Sequence, residues 1–433
     1  MSEQDALGPR SGDSPPRAPD TVGALGPHSG GGSPPRAQPR TALVAGGGAV
    51  KAYAFHVGVL QGLEQDGFHF RAGLRWKPKV APQGRREIDM YVGSSAGACI
   101  VASLAAGHPV EDLKQAVRGT SRRVPTFGYR VLYVPVAPNP TRYLGRLARR
   151  WRLGRLRPHH LLDVGGMMTT SGVERYFRRH VLPTNRFGDL APQLYIAATQ
   201  VNIARKVVFG PRDSLAADGA YDGECAYYDN VPISQAIAAA VAMPPLFAPY
   251  AITNPTTGKQ FHYYDGEVRE TLSLHVARDA CADFIIASSI WNPYRYVDQV
   301  GTLADLGITA LTEQVLHQIV EQKVDRDREL TDRYARLLEL IDRHSSPDAA
   351  RTLKEEACRL LRYRPTRTLY VTPVDEDHAF FFEGSFRFSR RLIDRCIAAG
   401  QRAYHAAVRD DSTFLEQLDR RMRVCAETPF DPG

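Results

Sequence analysis

A serine lies between two glycines in the stretch Gly93-Ser94-Ser95-Ala96-Gly97, which follows the apolar run "DMYV" and opens the alanine-rich run "ACIVASLAA". This is a G-x-S-x-G pattern centred on Ser95, in the strand–turn–helix setting that a nucleophile elbow requires. Small residues at Gly93 and Gly97 relieve crowding at the sharp turn, and a helix N-terminus favours negative charge near the serine hydroxyl. The pattern predicts a nucleophilic serine, and a plain glycine turn is the alternative.

A glycine-rich loop precedes this motif in "AGGGAVKAY", residues 45–53, at the end of the apolar run "TALVA". Glycines let backbone N–H groups approach a substrate oxygen without interference from Cβ atoms. We therefore expect backbone N–H groups of this loop to bind a negatively charged substrate oxygen. Phosphate-binding alternatives fit less well, because the third glycine of a dinucleotide fingerprint and the Gly-Lys-Ser/Thr of a P-loop are both absent.

A base for the serine is offered by Asp265-Gly266 in the aromatic stretch "FHYYDGEVRE". An aspartate is a weak base in water, but burial beside Tyr263 and Tyr264 would raise its pKa, and contact with Ser95 would let it accept the hydroxyl proton. An ordinary Asp-Gly turn is one alternative. A Ser-His-Asp triad that uses His275 or His378 is another.

The positions of strands and helices along the chain predict an α/β fold. Apolar runs typical of buried strands occur in "TALVA", "EIDMYVG", "QLYIAATQVN" and "CADFIIASS", and a helix is predicted over 95–106. Strands that alternate with helices indicate a three-layer α/β/α sandwich with a mostly parallel central sheet. Residues 301–362 have the spacing of long amphipathic helices, "RTLYVTPV" that of a late strand, and 385–409 that of a closing helix.

Composition divides the chain into three parts. Residues 1–40 are rich in Gly, Pro and Ser, which predicts a disordered tail. The chemical motifs fall within 41–290, which we interpret as the catalytic core, and 291–433 is predicted to be a mainly helical region packed on that core. No linker is evident after residue 41.

Positive charge is concentrated in one segment. The formal net charge is +8, yet eleven arginines and no acidic residue lie between Arg118 and Arg157. Such a segment indicates an anionic partner. Residues 141–158 can form a basic amphipathic helix suited to an anionic membrane, and packing of its leucines on the protein body is the alternative. Its candidate interface residues are Leu144, Leu147, Trp151, Arg149, Arg150 and Arg152. Because no nucleic-acid motif accompanies the arginines, we do not predict nucleic-acid binding.

Cysteine spacing and hydropathy indicate the cellular compartment of the protein. The six cysteines are far apart and form no CxxC pair, which argues against a zinc site or a disulfide framework. The first residues lack the blocks of a signal peptide, and the least polar long stretch, 235–252, contains three prolines. We therefore expect a cytoplasmic protein without a membrane span, able to associate peripherally with membranes.

The three motifs, in this order, resemble those of the patatin-like phospholipase family. The segments "LVAGGGAVKAYAFHVGVL", "IDMYVGSSAGA", "LLDVGGMMTTSGVERYF", "LYIAATQVN", "AIAAAVAMPPLFAPY" and "YYDGEVRE" are similar to family segments in family order. The resemblance covers roughly residues 41–290.

This resemblance implies a lipid acyl hydrolase of phospholipase A or lysophospholipase type. Its Ser–Asp dyad would consist of Ser95 as nucleophile and Asp265 as base, acting through an acyl-serine intermediate without metal or organic cofactor. The N–H groups of Gly47, Gly48 and Ala49 would form the oxyanion hole. The remaining matched motif positions are Gly46, Lys51, Gly93, Gly97 and Gly266. Phospholipids or lysophospholipids are the implied substrates, and oligomeric state is not implied.

Four positions depart from the family pattern. Ala49 stands where the third loop glycine is usual, Lys51 where arginine is usual, and Ala52 where glycine is usual. Glu267 replaces the small residue that normally follows Asp-Gly. We expect these departures to affect efficiency and substrate choice more than reaction class. A catalytically inactive scaffold that docks on membranes is the alternative from another functional class.

Overall fold

The computed structural model describes residues 39–82, 84–136, 148–149, 151–153, 166–203, 205–211, 225–253, 258–361 and 363–427. The tail predicted for residues 1–40 lies outside this part, except for Pro39 and Arg40. Most of the predicted basic helix also lies outside it, including Leu144, Leu147 and Arg150. The described residues of that segment, among them Arg149, Trp151 and Arg152, are exposed.

The strands form one large sheet and three small two-stranded pairings. In chain order they are β1 (Thr41–Ala45), β2 (His69–Phe70), β3 (Ala72–Leu74), β4 (Lys77–Lys79), β5 (Glu87–Ile88), β6 (Met90–Gly93), β7 (Val134–Pro135), β8 (Met168–Thr169), β9 (Gln193–Gln200), β10 (Arg205–Phe209), β11 (Cys225–Tyr228), β12 (Tyr250–Thr253), β13 (Gln260–Asp265), β14 (Phe284–Ser288) and β15 (Arg367–Val371). Within the described ranges, the large sheet has nine strands, with the order β11-β10-β9-β6-β1-β14-β15, β13 beside β9 and β12 beside β13.

The helices alternate with the strands in the first half of the chain and dominate the second half. In chain order they are α1 (Ala49–Gln65), α2 (Ser95–Ala106), α3 (Val110–Arg118), α4 (Tyr129–Leu132), α5 (Ser171–Tyr176), α6 (Ile233–Ala240), α7 (Leu274–Asp279), α8 (Ile308–His344), α9 (Pro347–Leu361), α10 (His378–Phe381), α11 (Arg390–Asp410) and α12 (Thr413–Glu427). Short 3₁₀ segments span Phe187–Asp189, Gly266–Val268 and Leu303–Leu306, and a π-helical turn spans Phe177–Val181.

The centre of the sheet is parallel and covered on both faces. Strand β1 pairs in parallel with β6 and β14, β6 with β9, and β14 with β15. Successive residues of β1 alternate between two core clusters: Leu43 and Ala45 face α1, α2 and α11, whereas Ala42 and Val44 face α7. This alternation explains the unbroken apolar runs in the sequence, since a strand buried on both faces has no polar side. The structure is thus an α/β/α sandwich.

The C-terminal region contributes to the same core. Strand β15 extends the central sheet beside β14, and helix α11 packs against α1. The two helices approach closely at glycines, because a Cβ at Gly58 would collide with the carbonyl of Ile397, and one at Gly400 with the carbonyl of Phe55. This contact packs the middle of α1 against α11, and the Val50 N–H at the start of α1 donates to the Ser385 carbonyl at 2.9 Å. No helix in the described ranges has the length and apolar character needed to cross a membrane.

Candidate active site

Two strands that run toward each other bring Ser95 and Asp265 together. Strand β6 runs parallel to β9 and ends at Gly93, opposite Ile196. Strand β13 runs antiparallel to β9 and ends at Asp265, opposite Ala198. Both lie on the same edge of β9, because β10 occupies the other edge at these residues. The chain therefore places the turn that carries Ser95 and the end of the strand that carries Asp265 two residues apart along β9.

The turn after β6 has the strained geometry of a nucleophile elbow. Ser95 has φ of +50°, a left-handed conformation that a residue with a side chain seldom adopts. The glycines around it are required sterically, because a Cβ at Gly97 would collide with the carbonyl of Ala45 and one at Gly93 would lie 2.7 Å from the carbonyl oxygen of Gly97. Ser95 opens α2, so its hydroxyl lies at the positive end of a twelve-residue helix.

The glycine loop lies directly against this turn. The Gly97 N–H donates to the Gly46 carbonyl at 3.1 Å, and a Cβ at Gly47 would be only 2.7 Å from the Cβ of Ser95. Among the described residues, none accepts a hydrogen bond from the N–H groups of Gly48 and Ala49. Gly48 and Ala49 both have positive φ, of +127° and +56°. Two N–H groups of the loop thus have no hydrogen-bond acceptor among the described residues.

Asp265 is fully buried next to the serine. Burial raises its pKa to about 7, against smaller opposing effects of the Ser95 hydroxyl and of the Glu267 N–H, which donates to Oδ1 at 3.0 Å. Oδ2 accepts no hydrogen bond of regular geometry from any described residue. Ser95 is therefore close enough to stabilise the carboxylate without completing a regular hydrogen bond to it, as is common before substrate binds.

Glu267 contacts both the glycine loop and the turn that carries Ser95. Its Oε1 accepts hydrogen bonds from the Gly47 N–H at 2.8 Å and from the Ser94 hydroxyl, and its Oε2 accepts one from Trp291 Nε1 at 3.3 Å. Burial first, and then the charge of Asp265, raise the pKa of Glu267 to about 8, while these donors lower it. The predicted oxyanion donor Gly47 is thus paired with a carboxyl group of the protein itself.

The remaining residues proposed from sequence lie around this centre. Gly266 packs on β9, where a Cβ would lie 2.6 Å from the Ala197 carbonyl oxygen. Lys51 points away from the reactive groups: it is buried, donates to the Phe381 carbonyl at 3.2 Å, and lies 4.5 Å from the centroid of the Phe380 ring. Its ammonium therefore joins α1 to the C-terminal region.

The histidines proposed for a triad are not bonded to the serine. His275 interacts with Glu270 at 3.0 Å, and with Lys206 and Cys225 through its other ring nitrogen. In the part of the chain that the structure describes, no histidine hydrogen-bonds to Ser95. Across the same residues, no group of three or more His, Cys, Asp or Glu side chains could hold a metal ion.

Sequence reasoning missed two residues that shape the site. His56 bonds through Nε2 to the Gly46 carbonyl at 2.9 Å, and through Nδ1 to the Ser288 hydroxyl at 2.8 Å. The signal in the sequence was a histidine within the otherwise apolar run "AYAFHVGVL" that follows the loop. Trp291 binds Glu267 and follows β14, and residues just beyond the carboxyl ends of parallel strands commonly line binding sites.

Comparison with known protein families identifies the family of this chain. A family model described as "Patatin-like phospholipase" matches residues 43–278, more than half of the chain. The chain belongs to the patatin-like phospholipase family. The family and the α/β/α fold predicted from the sequence are thereby confirmed, and membership implies hydrolase activity on lipid acyl esters. A search of curated proteins found no match.

The solved structures similar to this chain include one of low similarity. The crystal structure of VipD from Legionella pneumophila is similar to the patatin-like chain with a TM-score of 0.34 and 10% sequence identity, over 87% of this chain and 67% of that one. The family assignment rests on the sequence match alone.

Proposed function

We propose that this chain hydrolyses fatty-acyl esters of phospholipids or lysophospholipids with a Ser95–Asp265 dyad. The observation that carries the proposal is the convergence of β6 and β13 on one edge of β9, which brings a strained serine next to a buried carboxylate. A carboxylate with a pKa near 7 accepts a serine proton more readily than one near 4, and is still ionised in part at neutral pH.

The reaction proceeds in two halves. Asp265 accepts the hydroxyl proton as Ser95 Oγ attacks the ester carbonyl carbon, and backbone N–H groups of Gly47, Gly48 and Ala49 hold the negative oxygen. The ester C–O bond then breaks, and the leaving alcohol takes the proton from Asp265. Water, deprotonated by Asp265, attacks the acyl-serine, after which the fatty acid leaves and Ser95 regains its proton.

The partner surface of this activity is a bilayer or micelle that contains the substrate. The exposed side chains of Arg149, Trp151 and Arg152 support transient association with an anionic membrane, since cations attract lipid headgroups and tryptophan favours the interface. Such an enzyme would act from the cytoplasm as a peripheral protein, in lipid degradation.

A lipid panel tests the proposal. Phosphatidylcholine, phosphatidylethanolamine, phosphatidylglycerol and their lyso forms are incubated with wild type, Ser95→Ala and Asp265→Asn, and released fatty acid is measured. We expect release by the wild type alone. Release that survives in Asp265→Asn but is lost on changing His275 would favour a general esterase with a triad. A fluorophosphonate probe that fails to label Ser95, while vesicles still bind, would favour an inactive scaffold.

A further inference from the structure

The carboxyl group of Glu267 lies where the substrate oxygen is expected. It accepts the Gly47 N–H at 2.8 Å, and a Cβ at Gly47 would lie 2.5 Å from Cγ of Glu267 and 2.7 Å from Cβ of Ser95. The Glu267 side chain and the serine therefore contact the same face of the loop. Glu267 is only 6% exposed, so this contact is an internal one and not a chance surface pairing.

The glycine loop does not depend on Glu267 for its position. The Gly46 N–H donates to the Ser288 carbonyl at 2.9 Å, and the Gly46 carbonyl accepts from His56 and from the Gly97 N–H. On the other side, the Val50 N–H donates to the Ser385 carbonyl at 2.9 Å. Both ends of the loop are therefore anchored by other residues. The Gly47 N–H would keep its position without Glu267, and the carboxyl group only accepts a hydrogen bond from it.

An oxygen of the Glu267 carboxyl group and a reaction oxyanion compete for such a donor. Each is a hydrogen-bond acceptor that a backbone N–H group stabilises. A retained negative charge at Glu267 would also oppose the charge that develops on the substrate oxygen. The Ser94 hydroxyl and the Trp291 indole donate hydrogen bonds to the same carboxyl group, so its displacement from Gly47 would cost the free energy of these bonds.

Building on the proposed function, we propose that Glu267 occupies the oxyanion site of the resting enzyme, so that the substrate's carbonyl oxygen must displace it. Glu267 is thus a residue that sets rate and substrate discrimination through the Gly47 N–H. The same donor, once vacated, binds the carboxylate of a released fatty acid. Only substrates whose other contacts offset the displacement of Glu267 react quickly.

The rate at which a fluorophosphonate probe labels Ser95 tests this proposal. The probe's phosphoryl oxygen needs the same N–H groups as an ester oxyanion. We expect Glu267→Ala, which restores the small residue usual in the family, to be labelled about ten-fold faster than wild type or more, because the Gly47 N–H loses a competing hydrogen-bond acceptor. Glu267→Gln should be labelled at a rate near wild type, because its amide oxygen still accepts from Gly47.

Controls separate this effect from damage to the fold. Glu270→Gln changes a half-buried carboxyl three residues along that bonds Lys206 and His275, so its labelling rate should be unchanged. If Glu267→Ala does not fold, the labelling rate of Glu267→Asp tests the proposal. Its shorter side chain withdraws the carboxyl group from Gly47, so we expect faster labelling than in wild type. Labelling of the folded variant that is equal to or slower than wild type overturns the proposal. Absence of Ser95-dependent labelling in every variant overturns the proposed function instead.

A second measurement responds only to occupancy of the oxyanion site. Octanoate, which stands in for the product carboxylate, is added as a competitor of labelling. We expect it to protect Ser95 in Glu267→Ala at about ten-fold lower concentration than in wild type. Equal protection in both proteins overturns the proposal, because a merely structural role of Glu267 would leave carboxylate affinity unchanged.

Discussion

His56 holds the carbonyl of Gly46 through Nε2 at 2.9 Å, and thereby ties the buried face of α1 to the glycine loop beside Ser95. Because a carbonyl only accepts, Nε2 carries the proton and Nδ1 accepts from the Ser288 hydroxyl. Burial lowers the pKa of His56 to about 4, so the ring is neutral at physiological pH. We therefore expect His56 to position the glycine loop.

Replacement of His56 by alanine should weaken both the fold and the site. The change leaves the Gly46 carbonyl and the Ser288 hydroxyl without their shared partner, which we expect to cost about 1–3 kcal/mol of unfolding free energy. Labelling of Ser95 by a fluorophosphonate should slow because the N–H groups of the loop lose their alignment. Urea unfolding and labelling kinetics measure the two effects. His108→Ala, which alters a histidine bonded to Val181 away from the loop, is the control; equal labelling of both variants would refute the assignment.

Hydrolysis should increase with pH through the pKa of Asp265. In the proposed mechanism only the ionised carboxylate accepts the serine proton, and burial raises the pKa of Asp265 to about 7. The rate therefore falls as pH drops from 8 to 6, where an aspartate of ordinary pKa would remain ionised. Asp265→Asn should lower the rate by about 10²–10⁴-fold at pH 8, where the wild-type carboxylate is ionised, and by less at pH 5. Initial rates with a soluble short-chain ester between pH 5 and 9 provide the profile, and a flat profile would exclude Asp265 as the base.

The two buried carboxyl groups should make stability depend on pH. Burial raises the pKa of both Asp265 and Glu267, so the folded state binds their protons more tightly than the unfolded state does. This stabilisation is fully present below the unfolded pKa near 4 and is lost as pH rises through about 7 to 8, at up to about 4 kcal/mol for each group. Asp265→Asn and Glu267→Gln should each lose less stability than wild type between pH 5 and pH 8.5.

Thermal unfolding at the two pH values measures this difference. Glu111→Gln, at an exposed position in α3, is the matched control and should follow the wild type. If both buried-site variants lose as much stability as the control, the carboxyl groups do not titrate as their burial requires. Loss of stability through ionisation of buried carboxyl groups is common at functional sites, because these sites contain groups that folding alone would not favour.

Local sequence patterns predicted the elbow well, because its determinants are local. The run from Gly93 to Gly97 specifies a strand end, a tight turn and a helix start, and α2 spans the predicted residues 95–106. The contact of Glu267 with Gly47 could not be predicted in this way. It depends on the antiparallel path of β13 along β9, a long-range register that no short pattern encodes.

Two alanines at family glycine positions should respond to glycine in opposite directions. Ala49 has φ of +56°, where an L-residue is strained by about 1–2 kcal/mol, so Ala49→Gly should raise unfolding free energy by up to about 1 kcal/mol after the entropy that glycine costs. Ala52 lies buried within α1, where glycine should cost about 1 kcal/mol or more. Urea unfolding compares the two variants. Equal destabilisation would show that Ala49 carries no strain.

Membrane binding should depend on Trp151 and not on another tryptophan of equal exposure. Trp151 is 73% exposed and lies beside exposed arginines, whereas Trp76 is 70% exposed in the turn between β3 and β4. If the basic segment contacts lipid, Trp151→Ala should weaken binding to phosphatidylserine-containing vesicles about three- to ten-fold, because the indole loses its interfacial contact. Trp76→Ala should bind as wild type does.

Sedimentation with vesicles at low and high salt measures the binding of both variants. High salt should weaken vesicle binding by every variant, because the arginines act through charge. Similar losses in the two variants would assign the interface to another surface.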